Sequence, residues 1–317
     1  MIQLSEVAKY YGDKRALGPV SFEIPVGSTV GFLGLNGVGK TTLLRILACD
    51  LRPSAGVARV DGVDVLDDPH AVRRKVGYLP EDPPLYRDMT VAGYLEFAGR
   101  IKGLDPSEVT ARIPAVEEAT HLTHMHHELI RHLSHGYRQR VGVAQALVHD
   151  PEVLILDEPT NGLDPVQIRE MRDLIRGLRG SHTILISSHI LPEISETCDE
   201  ILILNDGEIV ASGTEGDLSE RVLRSTGTTV EVKLPDDGAG VDPAESMLGL
   251  LRQIPHASGA SLADRGRATL TFRVDGKGDL RAMVCRTLVE AGHEVVRLDR
   301  AHRELEGIFV ELVGGAQ

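Results

Sequence analysis

The chain has 317 residues, enough for two domains that each bury a core, and a formal net charge of −13. With 3% aromatic residues, that balance excludes a broad nucleic-acid surface, which needs a basic stripe or a stacking platform. Three widely spaced cysteines (Cys49, Cys198, Cys285) show neither paired nor metal-ligand spacing and suit a reducing compartment. The segment Met1 to Glu6 lacks a basic stretch followed by an apolar core, so no secretory signal is expected. No apolar run approaches the ~20 residues of a membrane span.

Strands are predicted over Ile2 to Val7 and Val20 to Ile24, leading to the apolar run Val30-Gly31-Phe32-Leu33. Directly after it, Gly34 to Thr42 reads Gly-Leu-Asn-Gly-Val-Gly-Lys-Thr-Thr. Strand, glycine-rich loop and helix start together form a phosphate cradle, because glycines let successive backbone N–H groups converge on phosphate oxygens. Lys40 adds a point charge there, and the Thr41 hydroxyl can ligate Mg²⁺. The pattern alone fits many nucleotide-binding proteins. The following helix, Thr42 to Cys49, turns Leu43, Leu44 and Leu47 inward and stops before Pro53-Ser54-Ala55-Gly56.

From Val91 to Leu133 the pattern is mostly helical, with Tyr94, Leu95, Ala98 and Ile101 at helical spacing. Six of the thirteen histidines lie between His121 and His135. His124 and His127, three apart, could share one helix face and make a metal site conceivable, and a solvated histidine-rich helix and loop is the favoured reading. In Leu133-Ser134-His135-Gly136-Tyr137, Ser134 and Gly136 start a helix whose positive end can face an anion, or simply cap it. The run Val153 to Leu156 reads as a strand buried on both faces, ending in Asp157-Glu158. There Asp157 is placed for Mg²⁺ and Glu158 to polarise a water, although strand-end turn chemistry also fits such a pair. A further apolar strand, Thr183 to Ile186, precedes Ser187-Ser188-His189, and Gly207 and Gly213 bracket the strand Glu208 to Ala211.

In this order the motifs resemble the nucleotide-binding subunit of an ATP-binding cassette (ABC) transporter, over about residues 1–220. The resemblance implies an α/β P-loop cassette with a helical subdomain at about 91–150. It makes Asn36, Gly37, Val38, Gly39, Lys40, Thr41 and Thr42 the Walker A contacts to ATP. Tyr11 would stack on adenine, with Tyr10 as the alternative. Asp157 and Glu158 would close the Walker B strand, with Thr41, Asp157 and Glu81 around Mg²⁺. Leu133 to Tyr137 stands at the family signature, so Ser134 and Gly136 would meet the γ-phosphate held by a second copy. His189 would be the switch histidine, and Asp164, in Asn161-Gly162-Leu163-Asp164, would couple the two sites of a head-to-tail homodimer.

Two departures from the family pattern stand out. Glu81 replaces a usual glutamine, and the signature has His135 for a glycine and Tyr137 for a glutamine. Glu81 with Asp82-Pro83-Pro84-Leu85-Tyr86 resembles a subclass of exporter cassettes, so turnover is expected with Glu158, His189, Lys40 and Glu81 in catalysis. His135 inside the signature makes pH sensitivity a further expectation.

After Arg224-Ser225-Thr226-Gly227 a second, small α+β domain is predicted over 228–317. Its strands are Thr228 to Leu234, Ala268 to Val274 and Glu294 to Leu298. Its helices are Met247 to Ile254, Leu280 to Glu290 and Glu304 to Val313. The closing Leu305 to Leu312 resembles the C-terminal stretch of drug-resistance and gliding-motility exporter cassettes. It carries no evident chemistry, and dimer support or partner docking is favoured over ligand sensing. The expectation is a cytoplasmic ATPase peripheral to the inner membrane face, driving export through a separate multi-span permease. The alternative is a soluble cassette acting on ribosomes or DNA. Such proteins resemble tandem cassettes or carry coiled-coil insertions, whereas this chain has one cassette and no sustained heptads.

Overall fold

The computed structural model describes residues 1–218, 228–234, 242–266, 268–276 and 279–300. The chain divides between Glu215 and Gly216 into two compact units. In the first unit, β1 (Ile2–Tyr11) pairs antiparallel with β2 (Lys14–Ile24) and β4 (Ala55–Val60), and β5 (Val63–Asp64) completes a four-stranded sheet ordered β2-β1-β4-β5. Both opening strands run longer than the sequence suggests. Their tips alternate Lys, Tyr and Arg and protrude into solvent, so apolar patterning does not mark them.

A second sheet is ordered β10-β9-β3-β8-β7-β6. It is built from β3 (Thr29–Leu33), β6 (Val76–Leu79), β7 (Val153–Asp157), β8 (Thr183–Ser188), β9 (Glu200–Asn205) and β10 (Glu208–Gly213). Only β10 runs antiparallel to its neighbour. Every residue of β3, β7 and β8 is buried, which is why these strands read as unbroken apolar runs. The core between the sheets centres on Phe32, Leu43, Leu47 and Ile155, with Leu43 and Leu47 supplied by α1 (Lys40–Leu47).

Short α2 (Pro69–Lys75) feeds directly into β6. A separate apolar cluster holds α3 (Val91–Ile101), α4 (Pro106–Ala119) and α5 (His135–Leu147) together through Tyr94, Leu95, Ile113 and Val141. The expected helical segment is therefore two helices, followed by single 3₁₀ turns at Thr123–Met125 and Ile130–His132. Helix α6 (Pro165–Gly177) meets α5 through the Arg140–Glu170 ion pair, and the short α7 (Leu191–Ser195) follows β8.

The second unit runs β11 (Thr228–Lys233), α8 (Pro243–Leu251), β12 (Ala257–Arg265), β13 (Thr269–Gly276), α9 (Arg281–Glu290), β14 (Val295–Arg300). Its antiparallel sheet is ordered β12-β13-β11-β14, the split βαββαβ arrangement. Val230, Val232, Leu270 and Phe272 pack on one face against Met247, Leu251, Val284 and Leu288 of the helices. Strand β12 is not predicted from sequence. The expected linker 224–227 and closing helix 304–313 lie outside the described residues. Among the described residues, no helix is long and apolar enough to cross a membrane.

Candidate nucleotide site

In an open parallel sheet, ligands bind beyond the carboxyl ends of the strands. Four such ends meet here. Leu33, before the glycine loop, pairs with Ser188, and Asp157 pairs with Ser187. Leu79 pairs with Leu156, which brings the Pro80-Glu81 turn alongside. The motifs that lie far apart in sequence are thus neighbours because of strand order.

The loop before α1 has Gly37 at φ 86 and Gly39 at φ 108, left-handed positions that favour glycine. A Cβ on Gly39 would stand 2.5 Å from the Ala16 carbonyl oxygen, so the loop can close on β2 only with glycine there. The Lys40 ammonium, 4% exposed, donates to the Gly34 carbonyl at 2.6 Å and lies 3.3 Å from that of Leu35. It also lies 3.1 Å from Glu158 Oε1, within ion-pairing reach but not aligned for a hydrogen bond. A cavity of about 280 Å³ is lined by Ala16, Asn36, Gly37, Gly39, Lys40, Thr41, Thr42, Glu81 and Glu158.

Beside it, Asp157 Oδ1 accepts from Ser187 Oγ at 2.5 Å and Thr41 Oγ1 at 3.2 Å. Oδ2 is buried and has no hydrogen-bond partner in the protein. Burial pushes this carboxyl up, the two hydroxyls oppose the shift, and the charges of Glu158 and Glu81 add to it. A bound cation would reverse that shift and occupy the orphaned oxygen. Thr41 and Asp157 offer hard oxygens, so the donor set fits Mg²⁺, which takes one or two protein oxygens and completes its shell with phosphate and water.

Glu158 itself has φ 48, a strained value for a side chain of this kind, and such outliers cluster at functional sites. Its N–H donates to Ser187 Oγ at 2.8 Å, and its Oε2 lies 2.9 Å from His189 Nδ1. The carboxylate is buried and lines the cavity, and the part-exposed imidazole contacts it from outside the cavity lining.

Of the remaining expected residues, Glu81 lines the cavity and the others lie further out. Glu81 Oε1 accepts from Asn161 Nδ2 at 3.0 Å. Asp164 caps α6, accepting from the Val166 and Gln167 amides. Ser134 caps α5, and a Cβ on buried Gly136 would stand 2.8 Å from the Gln167 side chain. His135 Nε2 is 3.0 Å from the Asn161 carbonyl oxygen. Tyr11 is 50% exposed at the end of β1, with the Lys9 ammonium 5.3 Å from its ring centroid. Tyr11, Ser134, Gly136, Asp157, Asp164 and His189 do not line the cavity, and Val38 packs behind the loop near Gly34. Sequence reasoning missed Ala16, which closes the cavity from β2, and the polar role of Asn161. It also missed Glu193, a buried carboxylate four residues beyond His189.

The histidine-rich segment does not gather into one site. His124 Nε2 meets the Tyr137 hydroxyl at 3.0 Å, His126 pairs with buried Glu117, and His132 pairs with Glu128. The single 3₁₀ turn at Thr123–Met125 ends before His127, so the two histidines do not share a helix. Among the described residues, no cluster of three or more His, Cys, Asp or Glu is arranged to hold a metal ion.

Comparison with known proteins gives concordant results. A family model described as ABC transporter matches residues 17–161. The bacitracin transport ATP-binding protein BcrA of Bacillus licheniformis is 32% identical over 99% of this chain and 98% of its own length. The daunorubicin resistance ATP-binding protein DrrA3 of Streptomyces coeruleorubidus is 33% identical over 99% of this chain and 96% of its own. A dimeric structure of a post-hydrolysis state of an ATP-binding cassette bound to ADP and Pi is similar with a TM-score of 0.62 at 26% identity. It covers 68% of this chain and 98% of that one.

Proposed function

Because the chain belongs to the family of ABC transporter ATP-binding proteins, we propose that it is the Mg²⁺-dependent ATPase of an exporter whose membrane path is a separate multi-span permease. The observation that carries this is that Lys40, Thr41 and Glu158 line one cavity, with Asp157 bonded to Thr41 and His189 2.9 Å from Glu158 directly behind them. Residues 1–220 would form the nucleotide-binding domain and 228–317 an accessory domain.

In this reading the glycine loop and the Lys40 ammonium take the β- and γ-phosphates of ATP. Thr41 and Asp157 hold Mg²⁺, with Glu81 beside it, and the cation neutralises phosphate charge when bound. Glu158 orients and polarises the attacking water, and His189 fixes the Glu158 carboxylate through its 2.9 Å contact. Catalysis is positioning plus charge stabilisation, as a loose phosphoryl-transfer transition state requires. Tyr11 stacks on the adenine from the end of β1. Ser134, Gly136 and Asp164 lie off the cavity, which supports a site completed by a second copy, with the amino end of α5 aimed at the γ-phosphate. Outward transport is supported by the two relatives that match end to end and are named for bacitracin transport and daunorubicin resistance.

The test is Glu158→Gln. Steady-state turnover of ATP with Mg²⁺ is expected to fall at least ~100-fold, the range of a lost general base. ATP affinity should stay within a few-fold and the protein should dimerise when loaded with ATP. Affinity capture on that loaded variant from detergent-solubilised cells should recover a multi-span membrane protein. Turnover that survives the substitution would remove Glu158 from its assigned role, and recovery of ribosomes without a membrane protein would remove the transport reading.

A further inference from the structure

Two serines end β8, and they point to opposite faces of the sheet. Ser187 Oγ donates to Asp157 Oδ1 and accepts from the Glu158 amide. Ser188 Oγ donates to Glu193 Oε2 at 2.9 Å and accepts from the Ile190 amide at 3.0 Å. The same oxygen, Glu193 Oε2, accepts from Thr160 Oγ1 at 2.5 Å. Glu193 is 8% exposed, on α7, and none of these contacts belongs to the cavity itself.

The consequence lies in what flanks each donor. Thr160 is two residues after Glu158, and its carbonyl oxygen accepts from the Leu163 amide in the turn that leads to Asp164. Ser188 immediately precedes His189, and its hydroxyl holds the amide that immediately follows. One carboxylate oxygen therefore fastens the backbone on both sides of the Glu158–His189 contact. A buried carboxylate is retained only where hydrogen bonds satisfy it, and here the donors come from the two strand ends that must stay in register.

We propose that Glu193 is a positioning residue for ATP hydrolysis, holding the 158–164 turn and the His189 loop at the separation that lets His189 orient Glu158. This rests on the roles assigned above to Glu158 and His189. Glu193 touches neither of those side chains and acts through Thr160 and Ser188.

The experiment measures kcat and KM for ATP of the full-length protein carrying Glu193→Ala, Glu193→Gln or Thr160→Val, with nucleotide affinity and thermal midpoint for each. For Glu193→Ala, kcat should drop ten-fold or more with KM within two-fold. Glu193→Gln keeps a carbonyl acceptor for the two hydroxyls and should recover kcat to within about three-fold. Thr160→Val preserves packing, removes one donor, and should lower kcat at unchanged affinity even if the alanine variant fails to fold. In a Glu158→Gln background, Glu193→Ala should lower turnover no further.

An unchanged kcat in both Glu193→Ala and Thr160→Val would overturn the proposal. So would a fall in thermal midpoint matched by a rise in KM and not relieved by glutamine, since that marks a purely structural strut. Failure of Glu158→Gln alone to reduce turnover would instead overturn the catalytic reading beneath it.

Discussion

The His149 imidazole lies two residues beyond α5, 8% exposed, with Nε2 donating to the Val76 carbonyl at 3.1 Å and Nδ1 buried without a hydrogen-bond partner. Burial pushes its pKa down to about 4, and the nearby Lys102 charge adds to that shift. Above the unfolded value near 6.5, both states are neutral and the group is silent. As pH falls from 6.5 toward 4, the unfolded chain takes up a proton that the folded chain refuses, so stability is lost. Integrated, the loss is about 2 kcal/mol at pH 5. Urea unfolding at pH 7.5 and pH 5 should show a smaller acid loss for His149→Gln than for the parent. Equal losses would mean the imidazole is not held neutral. At this scale the site was legible wherever its chemistry is local in sequence. The Gly34–Thr42 loop declares itself through glycines and a lysine, and Asp157-Glu158 through their place at a strand end. Glu193 was not legible, because its value depends on hydroxyls 33 and 5 residues away.

Strand β6 is held by the helices around it. The Lys102 ammonium, just past α3, donates to the carbonyls of Arg73 and Val76, both at 2.8 Å, and burial lowers its pKa to about 8. His149, following α5, meets the same Val76 carbonyl. One residue on, a Cβ on Gly77 would stand 2.1 Å from the Ala146 carbonyl oxygen, so β6 and α5 approach as backbone against backbone. Gly77→Ala must therefore push apart two rigid elements, and overpacking of this kind costs about 1–3 kcal/mol. Denaturant titration should register that loss, with a drop in turnover, because Glu81 follows β6 directly. Unchanged stability would show that the contact is loose. Element types were legible where patterning is strong, as in the buried strands β3, β7 and β8. Strand β12 was not, because Ala257–Arg265 is built of Ala, Ser, Gly, Asp and few β-formers. Its pairing with β13 supplies what propensity does not.

At the scale of the chain, each unit has its own apolar core. Phe32 and its neighbours serve the first, and Phe272 with Val230, Met247 and Val284 serve the second. Separate cores lead us to expect two cooperative unfolding transitions. The residues around the candidate nucleotide cavity all belong to the first unit. A ligand that binds only the native state at about 100 times its Kd stabilises by about 2.7 kcal/mol. Scanning calorimetry of the Glu158→Gln protein with saturating Mg²⁺ and ATP should therefore raise one transition and leave the other in place. A common shift of both would mean that the second unit reports on nucleotide. What the sequence offers for a second unit is strand alternation that restarts at Thr228, beyond the division between Glu215 and Gly216.

The φ of 48 at Glu158 is a backbone preference set against a side-chain requirement. Glycine or asparagine would rest at that angle with about 1 kcal/mol or more of relief, and glutamine would not. A collection of variants sorted for heat resistance alone would accordingly drift toward proteins that are sturdier and inert. Engineering for robustness has to score turnover in the same round, because the base proposed above holds a left-handed backbone angle that glycine or asparagine would take more readily.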